Sequence, residues 1–148
     1  MKPTLRTGLT HRFAYKVPAS KTVPHTYPEA PEIASMPNVF ATGFMIALME
    51  WTCMQLLAPH LDPGEGSVGV HVDVSHLAAT PIGMTVTVDV ECVEIVGPRI
   101  AFRVKAHDGA DLIGEGRHER FVVEWDKFKA RVAAKAEKVG EWRMASGA

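Results

Sequence analysis

Cysteine is scarce in this chain. The two residues, Cys53 and Cys92, are far apart and fit no metal-binding or redox spacing. Both lie in apolar surroundings and read as small buried hydrophobes in a reducing compartment. An excess of one charge is also missing: 16 Lys and Arg stand against 17 Asp and Glu, mixed along the sequence, for a net charge of −1. That leaves no basic stripe for nucleic acid and no polybasic patch for a membrane surface. No apolar run approaches the length of a membrane span. The first residues, M-K-P-T-L-R-T-G, lack the apolar core of a secretory signal. Repeats and low-complexity segments are absent as well. A cytoplasmic protein is expected, with residues 1–148 forming one domain large enough to bury a core.

What is present is one unusually apolar helix pattern, residues 40–59, F-A-T-G-F-M-I-A-L-M-E-W-T-C-M-Q-L-L-A-P. Large hydrophobic residues go all the way round it, and a helix apolar on every face is expected to be buried on every face. Glu50 is out of place there, because an unpaired buried carboxylate is costly and needs a partner or a task. Thr42 is the other polar residue to weigh, at the helix start.

The rest of the chain supplies the wrapping. Residues 1–8 read as a loose arm. Residues 9–17 alternate as a strand, with Leu9, His11, Phe13, Tyr15 and Val17 on one face. Residues 18–39 contain Pro18, Pro24, Pro28, Pro31 and Pro37, which rules out a long helix or a central strand. Their interspersed apolar residues suggest an ordered lid with a short helical turn near Pro31 to Ala34.

Four strands follow within residues 67–124. In the first, Val70, Val72, Val74 and His76 share a face. In the second, Val86, Val88, Val90 and Cys92 do, and its alternation blurs near Val93 to Ile95, as at a bulge. In the third, Ile100, Phe102, Val104 and Ala106 point inward. Residues 125–139 return to helical spacing, with Phe128, Val132 and Ala136 on one stripe. The order strand, lid, buried helix, four antiparallel strands, helix predicts an α+β architecture, one antiparallel sheet curled around one central helix. That is the hot-dog fold. Its open sheet edges predict a homodimer.

The chemistry-bearing residues are ambiguous when taken singly. Gly64, Gly66 and Gly69 spell G-x-G-x-x-G but follow a helix and open a strand, the reverse of a dinucleotide site. His71 and Asp73 lie on the strand face opposite His76, which argues against shared metal ligation. His76 by itself reads as a satisfied core histidine, Thr42 as a helix cap, and Glu50 as either an ion-pair partner of Arg120 or a functional acid. Together, a hydroxyl, an imidazole and a carboxylate are the elements of an activated nucleophile. Thr42 and Glu50 are eight residues apart, roughly 12 Å along a helix axis, a gap that an intervening histidine largely spans.

Several blocks of the sequence, taken in order, carry a resemblance. They are K-T-V-P-H-T-Y-P-E-A-P-E, V-F-A-T-G-F-M-I-A-L-M-E-W, P-G-E-G-S-V-G, V-S-H-L-A-A-T-P and H-D-G-A-D-L-I-G-E-G-R-H-E-R. Together they resemble the fluoroacetyl-CoA thioesterase family of hot-dog enzymes over nearly the whole chain. The resemblance implies a homodimeric hydrolase of acyl-CoA thioesters with no cofactor beyond the CoA of its substrate. It implies catalytic roles for Thr42, Glu50 and His76. It also implies that Gly69 lies near the thioester carbonyl and that Arg120 is the active-site arginine. The lid departs from the family pattern. The fluoroacetyl-specific enzyme carries phenylalanines where this chain has Ile33 and Met36, and a leucine where it has Thr26. Thioester chemistry is therefore expected with less fluoroacyl selectivity, and Ile33 and Met36 are expected in the pocket roof. Two other readings stay open, a hot-dog acyl-CoA hydratase or dehydratase and a non-catalytic acyl-CoA-binding module.

Overall fold

The structure is a computed structural model that describes residues 1–146. Five strands form one antiparallel sheet: β1 (Thr10–Lys16), β2 (Glu65–His76), β3 (Thr85–Val96), β4 (Arg99–His107) and β5 (Leu112–Glu124), in the order β1-β3-β4-β5-β2. Between β1 and β2 lie a short helix α1 (Pro31–Ala34) and the long helix α2 (Thr42–Leu57), and β5 runs into helix α3 (Trp125–Ser146). The predicted α+β arrangement, a sheet around a central helix, is what forms.

Alternation in the middle strands translates directly into the core. Val86, Val88, Val90 and Cys92 of β3 are at most 2% exposed, and Ile100, Phe102, Val104 and Ala106 of β4 are fully buried. Against them pack Met45, Leu48, Met49, Cys53, Leu56 and Leu57 of α2. The blurred alternation in β3 is a true irregularity, since the β3–β4 register shifts between Cys92 and Glu94.

Helix α2 departs from expectation. It is not covered all round: Trp51 is 47% and Met54 44% exposed. One sheet covers one side of a cylinder, and the apolar residues on the far side are left partly open. Trp51 recovers some contact edge-on against Phe13 of β1, with ring centroids 4.6 Å apart.

Strand β2 also differs. It is an edge strand, and its register against β5 shifts between Gly69 and His71, so Val70 is the extra residue of a bulge. Val72, Val74 and His76 stay on the inner face, opposite His118, Gly116 and Gly114. Val70 falls out of that series and is 44% exposed.

Two further corrections concern the ends of the chain. The first eight residues are not loose: the Lys2 amide donates to the His60 carbonyl and the Gly8 amide to Cys92, at 2.8 Å each. Helix α3 extends beyond residue 139, and its stripe packs only at its start: Phe128 stacks edge-on against Trp125, whereas Val132 is 53% exposed. Its first turn is anchored where Trp125 fills the space beside Gly66 that a Cβ would occupy.

The lid follows its prolines. Two tight turns, Ala19–Lys21 and Val23–His25, precede α1. Isolated bridges from Thr22 to Phe40 and from Val39 to Pro81 hold the segment down. Phe40 is buried at its far end, so the lid is stitched to the fold just before α2 begins.

Gly116 marks where β2 and β5 approach most closely, since a Cβ there would sit 2.0 Å from the Asp73 carbonyl oxygen. The obstacle is backbone and cannot rotate away. Gly116→Ala should destabilise the protein by about 1–3 kcal/mol, as overpacking does. Gly109→Ala, in an open turn with φ of +91°, should lose less. Urea denaturation of the two variants checks the order.

Candidate active site

The start of α2 and the end of β2 converge. Thr42 is the first residue of α2, and the residue preceding the helix is Ala41, which makes no side-chain cap. The expected cap is therefore not its role. Instead, Thr42 Oγ1 lies 2.6 Å from His76 Nδ1. His76 Nε2 is buried and has no hydrogen-bond partner, an arrangement that costs about 1–3 kcal/mol unless an acceptor arrives. Burial also pushes the His76 pKa below the ordinary value of 6.5, opposed by the Ala78 backbone, so the imidazole is neutral at pH 7. A neutral imidazole in contact with a hydroxyl can take its proton.

This pair lies in the wall of a pocket of about 320 Å³, whose other lining includes Val23, Met36, Val39 and Phe40. Met36 is thus placed beside Thr42 and His76. Ile33 is half-buried in α1 and is not among the residues lining this pocket. Thr26 turns its hydroxyl back onto the Val23 carbonyl at 2.7 Å and offers no free polar group. A larger concavity of about 680 Å³ lies on the outer sheet face, but its Arg12 and Asp89 are bonded to each other at 2.6 Å, and it is remote from this chemistry.

Two turns further along α2, Glu50 belongs to a second cluster. Its nearest ionic neighbour is His118 Nε2, 3.9 Å from Oε1, and its side chain is 35% exposed. The Glu50 carboxylate stands in the space opened by Gly69, where a Cβ would come within 2.7 Å of Oε1. Arg120, opposite Gly69 in the ladder, is 4% exposed. Its Nε donates to Ser67 Oγ at 2.8 Å, its Nη2 to the Ser67 carbonyl at 2.9 Å, and its Nη1 to His118 Nε2 at 3.2 Å. Each such bond from a charged donor contributes about 1.5–3 kcal/mol, which is how a guanidinium persists at that depth. The structure therefore brings Thr42, His76 and Met36 together, and separately Glu50, Gly69 and Arg120. Within the described residues no hydrogen bond joins Glu50 to His76.

Comparison with known proteins places this geometry. The fluoroacetyl-CoA-specific thioesterase family, FlK, matches residues 21–126. The chain belongs to this family. A fluoroacetyl-CoA thioesterase of Streptantibioticus cattleyicolor is 53% identical over 135 residues, covering 91% of this chain and 97% of the relative. A crystal structure of a FlK mutant in complex with fluoroacetate and CoA superposes with a TM-score of 0.82 at 53% identity, covering 84% of this chain and 99% of that one. A hypothetical protein of Thermus thermophilus, a thioesterase superfamily member, gives a TM-score of 0.85 at 30% identity, covering 95% and 99% of the two chains. This chain is accordingly a hot-dog acyl-CoA thioesterase.

One residue of the thioesterase went unnoticed in the sequence. His118 is 1% exposed and sits between Glu50 and Arg120. The signal was available: Gly114, Gly116, His118 and Arg120 occupy alternate positions, so one strand face carries both the expected arginine and this histidine. His71 and His76, on the neighbouring strand, stand out more because they flank Asp73 in one short segment.

Both histidines bear on pH dependence. Burial is the leading cause that lowers each pKa, so the unfolded chain binds more protons just below pH 6.5. Stability should then rise with pH through that window and fall as pH drops below it. The acidic limb of kcat/KM should likewise fall below pH 6.5, where His76 becomes protonated. A pH profile running from about two units below the usual histidine value to about one and a half above it checks this, and a limb centred above 6.5 would count against His76 as the base.

Proposed function

We propose that hydrolysis takes place in the pocket walled by Thr42 and His76, with Glu50 as the third member of the constellation and with a broader acyl range than fluoroacetyl alone. The observation that carries this reading is the 2.6 Å contact between Thr42 Oγ1 and His76 Nδ1 in a pocket that Met36 also lines.

In the productive tautomer, Nδ1 accepts the Thr42 hydroxyl proton and Nε2 carries the hydrogen. That buried N–H then requires an acceptor, and a carboxylate is the strongest available. Glu50 supplies it in this reading. Thr42 either attacks the thioester carbonyl or aligns the water that does so. His76 takes the proton, the carbonyl becomes an oxyanion, and collapse of that intermediate breaks the C–S bond as the imidazolium protonates the CoA sulfur; where Thr42 is the nucleophile, water activated by His76 then cleaves the acyl ester left on Thr42. One water is consumed, and a carboxylic acid and CoA are released. The first turn of α2 and the Gly69 backbone supply donors for the oxyanion, since first-turn N–H groups have no acceptor inside a helix. Arg120 contributes positive charge to the substrate site.

The working form is a homodimer. β2 is one of the two outer strands of the sheet, and its Val70 and Val72 are 44% and 39% exposed, an apolar edge that a second copy would cover. A cytoplasmic location fits Cys53 and Cys92, which are both free and buried. The chemistry calls for no metal and no cofactor apart from the CoA of the substrate.

His76→Ala should keep the fold and lower kcat about 100-fold or more, the range for losing a general base. Glu50→Gln should lower kcat sharply with little change in thermal midpoint. Thiol release measured for both variants checks the assignment, and near wild-type turnover in either would remove that residue from the mechanism.

Acyl selectivity follows from the roof. Met36 is flexible where the fluoroacetyl-specific enzyme has a flat ring, and a pocket wall of this kind separates ligands differing by one carbon by only about 1–3 kcal/mol. Butyryl- and phenylacetyl-CoA should be turned over alongside acetyl- and fluoroacetyl-CoA. Met36→Phe should narrow the range. kcat/KM across these four substrates is the test, and a wild-type enzyme that accepts only fluoroacetyl-CoA would sink this view of the lid.

A further inference from the structure

His118 is buried and contacts Arg120, yet it lines no part of the Thr42–His76 pocket. Its protonation can be worked out from its partners. A guanidinium has no acceptor, so the 3.2 Å contact with Arg120 Nη1 requires a lone pair on His118 Nε2. The proton is then on Nδ1, which donates to the His71 carbonyl at 2.8 Å. That carbonyl belongs to the residue just after the β2 bulge, so the bulge turns a main-chain acceptor toward β5. Burial lowers the His118 pKa, outweighing the His71 carbonyl and the Glu50 carboxylate, which raise it, and the Arg120 charge acts in the same direction as burial. The 3.9 Å approach to Glu50 Oε1 is therefore not an ion pair.

The charged surroundings are few. From α2, Glu50 and Cys53 face Arg120, and burial keeps the Cys53 thiol protonated. From β5, Glu119 is engaged by Arg99 at 3.0 Å on the outer side. From β2, Ser67 holds the other two arms of the guanidinium, and the exposed His71 contributes its carbonyl. Glu50 is thus the carboxylate facing Arg120, but no ion pair of 4.0 Å or less joins them among the described residues. The imidazole of His118 occupies the Nη1 arm instead.

We propose that His118 is a positioning residue for the hydrolase. Its Nε2 lone pair holds the Nη1 arm of Arg120 and keeps the guanidinium from closing on Glu50, so that the carboxylate stays open beside Gly69. The inference rests on the proposed role of Glu50. Without an acceptor at that place, the strongest bond available to Nη1 is a charge-assisted one to Glu50. That bond would tie up the carboxylate that the proposed constellation calls on.

Two polar variants separate the contacts of His118. In His118→Gln the amide oxygen reaches the position of Nε2 and keeps the bond to Arg120. In His118→Asn the shorter amide keeps the bond to the His71 carbonyl and leaves Arg120 unheld. The expected result is near wild-type kcat for His118→Gln and a loss of about 10-fold or more for His118→Asn, with KM within about twofold, as misplacement of a catalytic group produces. In a Glu50→Gln background, His118→Asn should have no further effect on kcat. Equal kcat for the two variants, or a loss confined to KM or to the thermal midpoint, would overturn the inference. Parallel measurement of Glu50→Gln alone distinguishes the levels. Impaired Glu50→Gln with unimpaired His118→Asn defeats only the role of His118. Unimpaired Glu50→Gln defeats the role of Glu50 and this inference together.

Discussion

The apolar helix α2 must be covered, and a single antiparallel sheet is what covers it. Met45, Met49, Cys53 and Leu57 are at most 1% exposed against β3 and β4, and each large side chain buried there contributes about 1.5–3 kcal/mol. That packing fixes the rotation of the helix. Once it is fixed, Thr42 has to meet the end of β2, and Glu50, two turns on, has to meet the bulge in the same strand. The end and the bulged middle of one edge strand therefore receive the start and the middle of one helix. The placement of the proposed catalytic residues follows from core packing, since Thr42 and Glu50 lie on α2 and His76 on β2.

Edge position matters to β2 for a second reason. β2 bonds only to β5, so the extra Val70 interrupts one ladder and not two. The bulge realigns everything after it, placing His76 on the inner face. It also frees the His71 carbonyl for His118. Gly69 just before it leaves room for the Glu50 carboxylate. One local irregularity thus sets the position of three polar groups and decides the tautomer of a fourth.

Much of this was legible in the residues. The alternation of Val86, Val88, Val90 and Cys92, and of Ile100 to Ala106, predicts the core face because both strands lie in the middle of the sheet, where pattern and burial coincide. The prolines of residues 18–39 mark the lid for the same reason, since proline acts locally. Failures came where burial depends on distant partners. Helix α2 is apolar all round, but the sequence does not say which side the sheet leaves open, so Trp51 and Met54 were expected inside. The β2 bulge has no local signature beyond Gly69, and Val70 was assigned to the wrong series. Thr42 has the composition of a cap, and only the arrival of His76 from 34 residues away gives it another partner. His118 stayed hidden because its partners, Glu50, His71 and Arg120, come from three elements.

At the centre of the account, Thr42 and His76 act as a unit. A double-mutant cycle on kcat/KM tests it most directly, with Thr42→Ala, His76→Ala and the double variant assayed on the acyl-CoA that wild type turns over fastest. Groups that share one proton are strongly non-additive. The account predicts that the double variant loses little more than the worse single variant. Losses that multiply would show that Thr42 and His76 contribute independently, and the 2.6 Å contact between them would then be structural.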